Sequence, residues 1–419
     1  MKHVCQIGLI GLISLMGLIG SVRAQSPFSF DFHGFVNPHY YADSRAVVGG
    51  REDMMLFYPK PVVLDSLGHD VNNGWQANML AITARLGLRV SGPDMLDAKT
   101  SAYIEGDFTG STNATIDNLR LRHAYITMDW YENHGEFQSL KHTLKVGQYW
   151  YPMVIHEIMP MTNPLNMGAP FHCYARQPQV RYEYISHRFE VVAAACWQLD
   201  NMSQGLLDGM PVSSTQFARH SMVPELNAQL RYRTGRFFVG AAVNAKTIQP
   251  VVNTTGVAAD GSLHTSVSYS VFGKATLGSV TVKAQTLLNN SLYEGCSLGG
   301  YTMMRMVGSD VCEVEDWHFN TVWFDVERNT GHWRPGIFLG YAQNKGGYIT
   351  DASDLAPTVA FYHVFGRGKD IDYLWRVQPR LTYDTGKGLS FCGEAEYTRA
   401  GYAEPVGNMR MSLSVTYAF

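Results

Sequence analysis

Apolar and polar residues alternate along much of this chain. From Met409 to Phe419 the odd positions Met409, Met411, Leu413, Val415, Tyr417 and Phe419 are apolar, and the even ones are mostly polar. Successive side chains of a strand point to opposite faces, so this segment has one apolar face and one wet face. The same rhythm runs through 371–384, where Tyr373, Trp375, Val377, Leu381 and Tyr383 oppose Arg376, Gln378, Arg380, Thr382 and Asp384. Leu226, Ala228, Leu230 and Tyr232 oppose Asn227, Gln229, Arg231 and Arg233. Arg85, Gly87 and Arg89 alternate with Leu86, Leu88 and Val90, as Thr281, Lys283 and Gln285 do with Val280, Val282 and Ala284. Each segment is about ten residues long, enough for a tilted strand to cross a bilayer.

The connections between these segments alternate in length. Short turns are expected near 91–93, 186–188, 234–235, 278–279, 329–331 and 386–388, and long stretches near 42–76, 149–177, 199–222, 249–264, 291–313 and 346–369. Short turns on one side and long loops on the other mark an outer-membrane barrel, with the short side periplasmic. The rhythm predicts an all-β protein, a transmembrane antiparallel β-barrel of about 16 strands. A terminal Phe closing an alternating strand resembles the signal read by the outer-membrane insertion machinery. In a soluble barrel the Arg-bearing face would be a packed core, and burying so many charges would be prohibitive. A water-filled lumen removes that difficulty.

The first residues carry a different signal. Lys2 and His3 precede an apolar run from Val4 to Ile19, and Val22-Arg23-Ala24 follows. This layout predicts a signal peptide over 1–24, cleaved after Ala24, with the barrel over 25–419. From Gln25 onward no run of about 18 continuously apolar residues occurs, which excludes a helical membrane protein. Charged residues are only 16% of the chain, and its formal charge of −3 becomes −5 once Lys2 and Arg23 are removed, so a nucleic-acid partner is not expected. Five cysteines remain, Cys173, Cys196, Cys296, Cys312 and Cys392, an odd number that leaves at least one thiol unpaired. Cys296 and Cys312 flank a Gly-rich loop and are candidates for a disulfide worth about 3 kcal/mol; that both stay reduced is the open alternative. No Cys-x-x-Cys or His-x-x-x-His pair supports a metal site, and no cofactor is expected.

With the apolar face toward lipid, the inward basic residues are Arg85, Arg89, Arg120, Arg122, Lys145, Arg181, Arg231, Arg233, Lys283, Arg376, Arg380 and Arg410. The inward acidic ones are Glu105, Asp107, Glu183, Asp325, Glu327, Asp384, Glu394 and Glu396. This wall is net basic in a net acidic chain, as in pores that favour anions. Guanidinium also suits bidentate binding of carboxylate or phosphate. The connection 149–177 is apolar for a loop, with Met153, Ile155, Ile158, Met159, Met161, Leu165 and Met167 beside Pro152, Pro160, Pro164 and Pro170. It is expected to fold into the barrel and narrow it, the alternative being an outer-surface or subunit contact.

A resemblance follows from an ordered series of short motifs. Ala84-Arg85-Leu86-Gly87-Leu88, then Ala102 to Phe108, then Leu121-Arg122-His123-Ala124-Tyr125, then Lys145-Val146-Gly147-Gln148, is similar to the first third of general Gram-negative porins. Arg176-Gln177-Pro178-Gln179-Val180-Arg181-Tyr182 resembles a segment of the DcaP-like porins. The resemblance implies a 16-stranded homotrimer with an inward-folded third loop, admitting dicarboxylates and other small anions. It also implies that Arg122, Arg176 and Arg181 line the pore near its constriction. The function expected is therefore passive diffusion of small hydrophilic anionic solutes across the outer membrane, without enzyme activity. Two alternatives remain open on the sequence: a lipid hydrolase using His123, whose parity places it among lipid-facing residues, and a binding barrel whose loops at 42–76 and 346–369 capture a ligand outside.

Overall fold

The computed structural model describes residues 27–133, 139–163, 167–254, 261–309, 312–346 and 357–419. The expected signal peptide lies outside the described residues, as do Pro164, Leu165 and part of the loop expected at 346–369. Eighteen hydrogen-bonded segments form one closed antiparallel barrel of sixteen strands, because two strands are each interrupted once. β1 is Ser29–Val36 continued by His39–Arg45, and β2 is Asn73–Leu80 continued by Arg85–Ser91. β3 (Lys99–Asp107), β4 (Arg120–Asn133), β5 (Ser139–Trp150), β6 (Arg176–Ser186) and β7 (Phe189–Cys196) follow. Next come β8 (Glu225–Arg233), β9 (Phe237–Ile248), β10 (His264–Leu277), β11 (Val280–Asn290) and β12 (Phe319–Arg328). β13 (Trp333–Asn344), β14 (Tyr373–Asp384), β15 (Leu389–Ala400) and β16 (Val406–Ala418) complete the wall.

Each strand pairs with its chain neighbour, and the ring closes where β16 meets β1. His39–Asp43 oppose Arg410–Ser414, and Phe35 and Val36 oppose Ala418 and Tyr417. The terminal Phe419 joins this seam, exchanging two backbone hydrogen bonds with Gly34. Closure leaves no free edge, a requirement for any sheet in lipid. The alternation places Leu226, Leu230, Leu381, Met411 and Leu413 on the exposed outer face, while Asn227, Gln229, Arg231, Arg376, Gln378 and Ser412 are buried inside. Phe189, Phe237, Trp333 and Tyr417 are exposed near the short turns, as an interfacial girdle requires.

Two loops fold into the lumen. The third extracellular loop (151–175) joins β5 to β6 and buries Met153, Val154, Ile155, Ile158 and Phe171. Its seat is the inner face of β9 to β14, where Phe238, Ala242, Phe272, Leu287, Trp323, Phe338 and Ala342 point inward. The loop reaches across the barrel: Asn163 binds Glu394 of β15 and Ser412 and Ser414 of β16. Gly340 is open because a Cβ there would stand 2.6 Å from the Phe171 ring. The first loop also turns inward, correcting its reading as an external binding loop. Its hairpin, Val47–Gly50 with Met55–Pro59, buries Met54, Leu56 and Phe57. Arg410 donates to the carbonyls of Asp53 and Met54, and Arg376 to those of Leu56, Phe57 and Ala169. Arg45 and Tyr402 bind the carbonyls of Lys60 and Pro59.

The remaining long loops build two small sheets over the mouth, one from Gln204–Leu207, Met210–Ser213 and Val251–Val252, the other from Gly299–Met306, Cys312–Trp317 and Val359–Arg367. Cys296 packs with the third-loop cluster and Cys312 with the cluster around Tyr301 and Met303, and no disulfide joins them. Phe171→Ala is expected to loosen the third loop by about 3–5 kcal/mol. Limited proteolysis should then cut 151–175 faster, while the folded barrel keeps its heat-modifiable migration; an unchanged cleavage rate refutes the packing role given to Phe171.

Candidate functional site

β3 and β4 bring the first group of charges together at a β-bulge. The register shifts so that Glu105 opposes His123 while Gly106 opposes Leu121, leaving Arg122 as the extra residue. A bulge interrupts the two-residue period, so Arg122 and His123 both turn inward and are 0% and 4% exposed. This corrects the placement of His123 on the lipid face: its ring lies 5.1 Å from that of Trp150 and 4.0 Å from Glu105 Oε1. Arg122 donates from Nε to Glu105 Oε1 (2.5 Å) and from Nη1 to Asp107 Oδ2 (2.7 Å). Arg120 grips Asp107 with two further bonds, at 3.1 and 2.9 Å. Arg85 stands 3.6 Å from Glu105. Three arginines therefore share two carboxylates.

Arg176 opens β6 beside them and has no carboxylate within ion-pair range among the described residues. It lies over the rings of Trp150 (5.0 Å) and Tyr174 (5.3 Å), with Nη1 3.4 Å from the Tyr174 hydroxyl oxygen. Burial raises the Tyr174 hydroxyl pKa, but Arg122, Arg176, Arg85 and Arg120 outweigh it and bring the group down to about 7.

A second group lies on β6 to β8. Arg181 binds Glu183 at 2.5 Å, and Arg231 and Arg233 share Glu190 of β7 and Glu157 of the third loop. Burial raises the Glu157 pKa; Arg231, Arg181 and Arg233 overcome that and hold it below the usual carboxylate range. Arg89 and Lys145 resemble Arg176 in lacking a carboxylate partner among the described residues. Arg89 lies over Tyr103 at 5.4 Å, and Lys145 over Tyr149 at 3.8 Å and Tyr125 at 5.4 Å. Arg376 and Arg380 are not part of either group. They sit on β14, where Arg376 is paired with Glu396 and holds both inward loops, and Arg380 binds Asp325 and Glu327.

A cavity of about 350 Å³ opens beside the first group, beneath the mouth loops. Arg120, Tyr174 and Arg176 line it from the wall side, with Arg51 and Arg367 from the loops and Asp200 and Glu294 as its acidic members. Sequence reading missed Arg51, Arg367 and Tyr174 because loops carry no period from which a facing can be deduced. It also missed the inward acids Asp43 and Glu190, which pair with Arg410 and with Arg231 and Arg233, cations it had counted in the basic wall.

No protein-family model and no curated protein sequence matches the chain. Solved structures do match along nearly its whole length. The outer membrane channel DcaP of Acinetobacter baumannii aligns with a TM-score of 0.64 at 18% identity, covering 95% of this chain and 99% of that one. The anion-selective porin from Comamonas acidovorans aligns at 0.53 and 10% identity, covering 94% and 100%. OmpF of Salmonella typhi aligns at 0.50 and 12% identity, covering 94% and 98%. The fold is that of an outer-membrane porin. The inward third loop and the outward apolar belt take their place within this fold.

The bulge removes the geometric basis for a hydrolase using His123, since the imidazole is buried inside the porin wall. A second histidine, His264 at the start of β10, meets Ser266 of the same strand and Asp316 of a mouth sheet. Its Nε2 and the Ser266 hydroxyl both bind the same Asp316 oxygen, so the imidazole does not bridge serine to carboxylate as a nucleophile relay requires. Arg122→Ala leaves Glu105 to Arg85 and Asp107 to Arg120 in a buried site and is expected to cost about 3 kcal/mol. Urea unfolding in detergent checks this; a midpoint equal to wild type would show that the pairs are not stabilising.

Proposed function

We propose that the chain is a passive diffusion pore for small hydrophilic anions of the dicarboxylate or phosphate type. It would be exported behind a leader cleaved after residue 24 and work as a homotrimer surrounded by outer-membrane lipid. The observation that carries the anion reading is the set of three cations, Arg89, Lys145 and Arg176, held on aromatic faces instead of carboxylates. An aromatic face orients a cation without cancelling its charge, so these groups keep their charge for a passing solute. Arg85, Arg120, Arg122, Arg181, Arg231 and Arg233, with Glu105 and Asp107, form the paired framework around them in this reading. Arg376 and Arg380 support the loops that narrow the passage. The Comamonas match is itself described as anion-selective, and one solved form of the Vibrio cholerae OmpT match is a trimer.

Single-channel recording under a salt gradient tests this. The wild-type reversal potential should favour anions. A unit charge about 6 Å from an ion in water is worth about 0.7 kcal/mol, so Lys145→Gln or Arg176→Gln should each lower the anion preference about threefold. A cation-favouring wild type, or two variants with wild-type selectivity, would overturn the assignment.

A further inference from the structure

We propose that Tyr174 is a specificity-determining residue of this pore, whose phenol oxygen, once deprotonated, becomes the third anion of the Arg85–Arg120–Arg122–Arg176 cluster and lowers the preference for anions. The proposal rests on the anion-pore reading above for its effect on transport, but not for the ionisation itself.

The argument starts from a mismatch of charge. Within ion-pair range of Arg85, Arg120, Arg122 and Arg176 the described residues hold only two carboxylates, Glu105 and Asp107, and three of the four arginines already divide those two. The Tyr174 oxygen is the acceptor nearest the fourth, at 3.4 Å from Arg176 Nη1. Further donor capacity is in place: Arg122 Nη2 is buried with no partner among the described residues. A phenolate here would lie among guanidiniums in a site that is 6% exposed, where charges interact far more strongly than in water.

The oxygen cannot turn away to escape these charges. The Tyr174 N–H donates to the Gly295 carbonyl at 2.7 Å, and the ring stands edge-on to Trp150 at 5.4 Å. From β4, the neighbouring His123 is walled in by Trp150 and Tyr149. The preceding Cys173 thiol is pushed up by burial and supplies no negative charge. The loop groups sharing the cavity are Arg51, Arg367, Asp200, Glu294 and Cys296. Glu294 is bound to Lys246 at 2.8 Å and to Ser203, so its charge is already matched. The guanidiniums of Arg85, Arg120, Arg122 and Arg176 therefore outnumber the carboxylates they pair with beside Tyr174.

Ionisation breaks the phenol O–H bond; the electron pair stays on oxygen and the proton passes to water in the cavity that Tyr174 lines. An ordinary tyrosine needs about pH 10 for this step. Here the neutral form dominates at mildly acidic pH, and the phenolate dominates above neutrality. The excess of two positive charges in the cluster then falls to one, so anion preference should decrease as pH rises through neutrality.

The test uses the full-length folded barrel and Tyr174→Phe, which keeps the ring against Trp150. Ultraviolet difference absorbance between the two should show one phenolate forming between about pH 6 and pH 8.5, well before ordinary tyrosines near pH 10. Across the same range the wild-type anion preference should fall about threefold further than that of Tyr174→Phe, as expected for one unit charge. Absence of a phenolate below about pH 9, or the same pH dependence in both proteins, would overturn the proposal. A phenolate at neutral pH in a pore with no anion preference at any pH would overturn the selectivity reading and Tyr174's role in it, and leave the ionised side chain established.

Discussion

A guanidinium inside a closed barrel needs an oxygen or an aromatic face beside it, and this requirement organises the interior. Three kinds of partner meet it. Carboxylates on adjacent strands take Arg120, Arg122, Arg380 and Arg410. Backbone carbonyls of the inward loops take the remaining donors of Arg376 and Arg410. Tyrosine and tryptophan rings take Arg89, Lys145 and Arg176. Only the first kind cancels the positive charge, so the distribution of carboxylates decides where the interior is electropositive.

The lumen is consequently two-sided. The inward faces of β9 to β14 carry Phe238, Phe272, Trp323 and Phe338, and a loop rich in Met and Ile seats itself there by burying apolar surface. The inward faces of β2 to β6 carry Arg89, Lys145 and Arg176, the cations held on aromatic rings. An apolar loop avoids that wall because covering it would desolvate charges. The open passage is left on the charged side by the same segregation that anchors the loop on the other.

The strand rhythm, the short turns and the apolar third loop were all legible before any coordinates, because a period of two and a run of Met and Pro are local properties. Other features depend on contacts distant in sequence. The bulge at Arg122–His123 is invisible in the alternation, since it is set by how β4 registers against β3. Pairing changes the meaning of a charge: Arg231 and Arg233 read as free lumen cations until Glu190 and Glu157 arrive from a neighbouring strand and a loop. Phe238 and Phe338 belong to strands apolar on both faces, so parity alone cannot assign them a side. Cys296 and Cys312 flank one loop yet belong to different clusters.

The hold of Arg376 and Arg410 on the two inward loops has a consequence for how such a barrel can diversify. Their guanidinium groups grip main-chain carbonyls of residues 53–57 and 169, which every amino acid possesses. The wall thus recognises the path of the loop and is indifferent to its side chains at those positions. Side chains of the inserted hairpin that are not buried, such as Glu52, are free to change while the docking persists, so the lining of the passage can be rewritten without redesigning the scaffold that carries it.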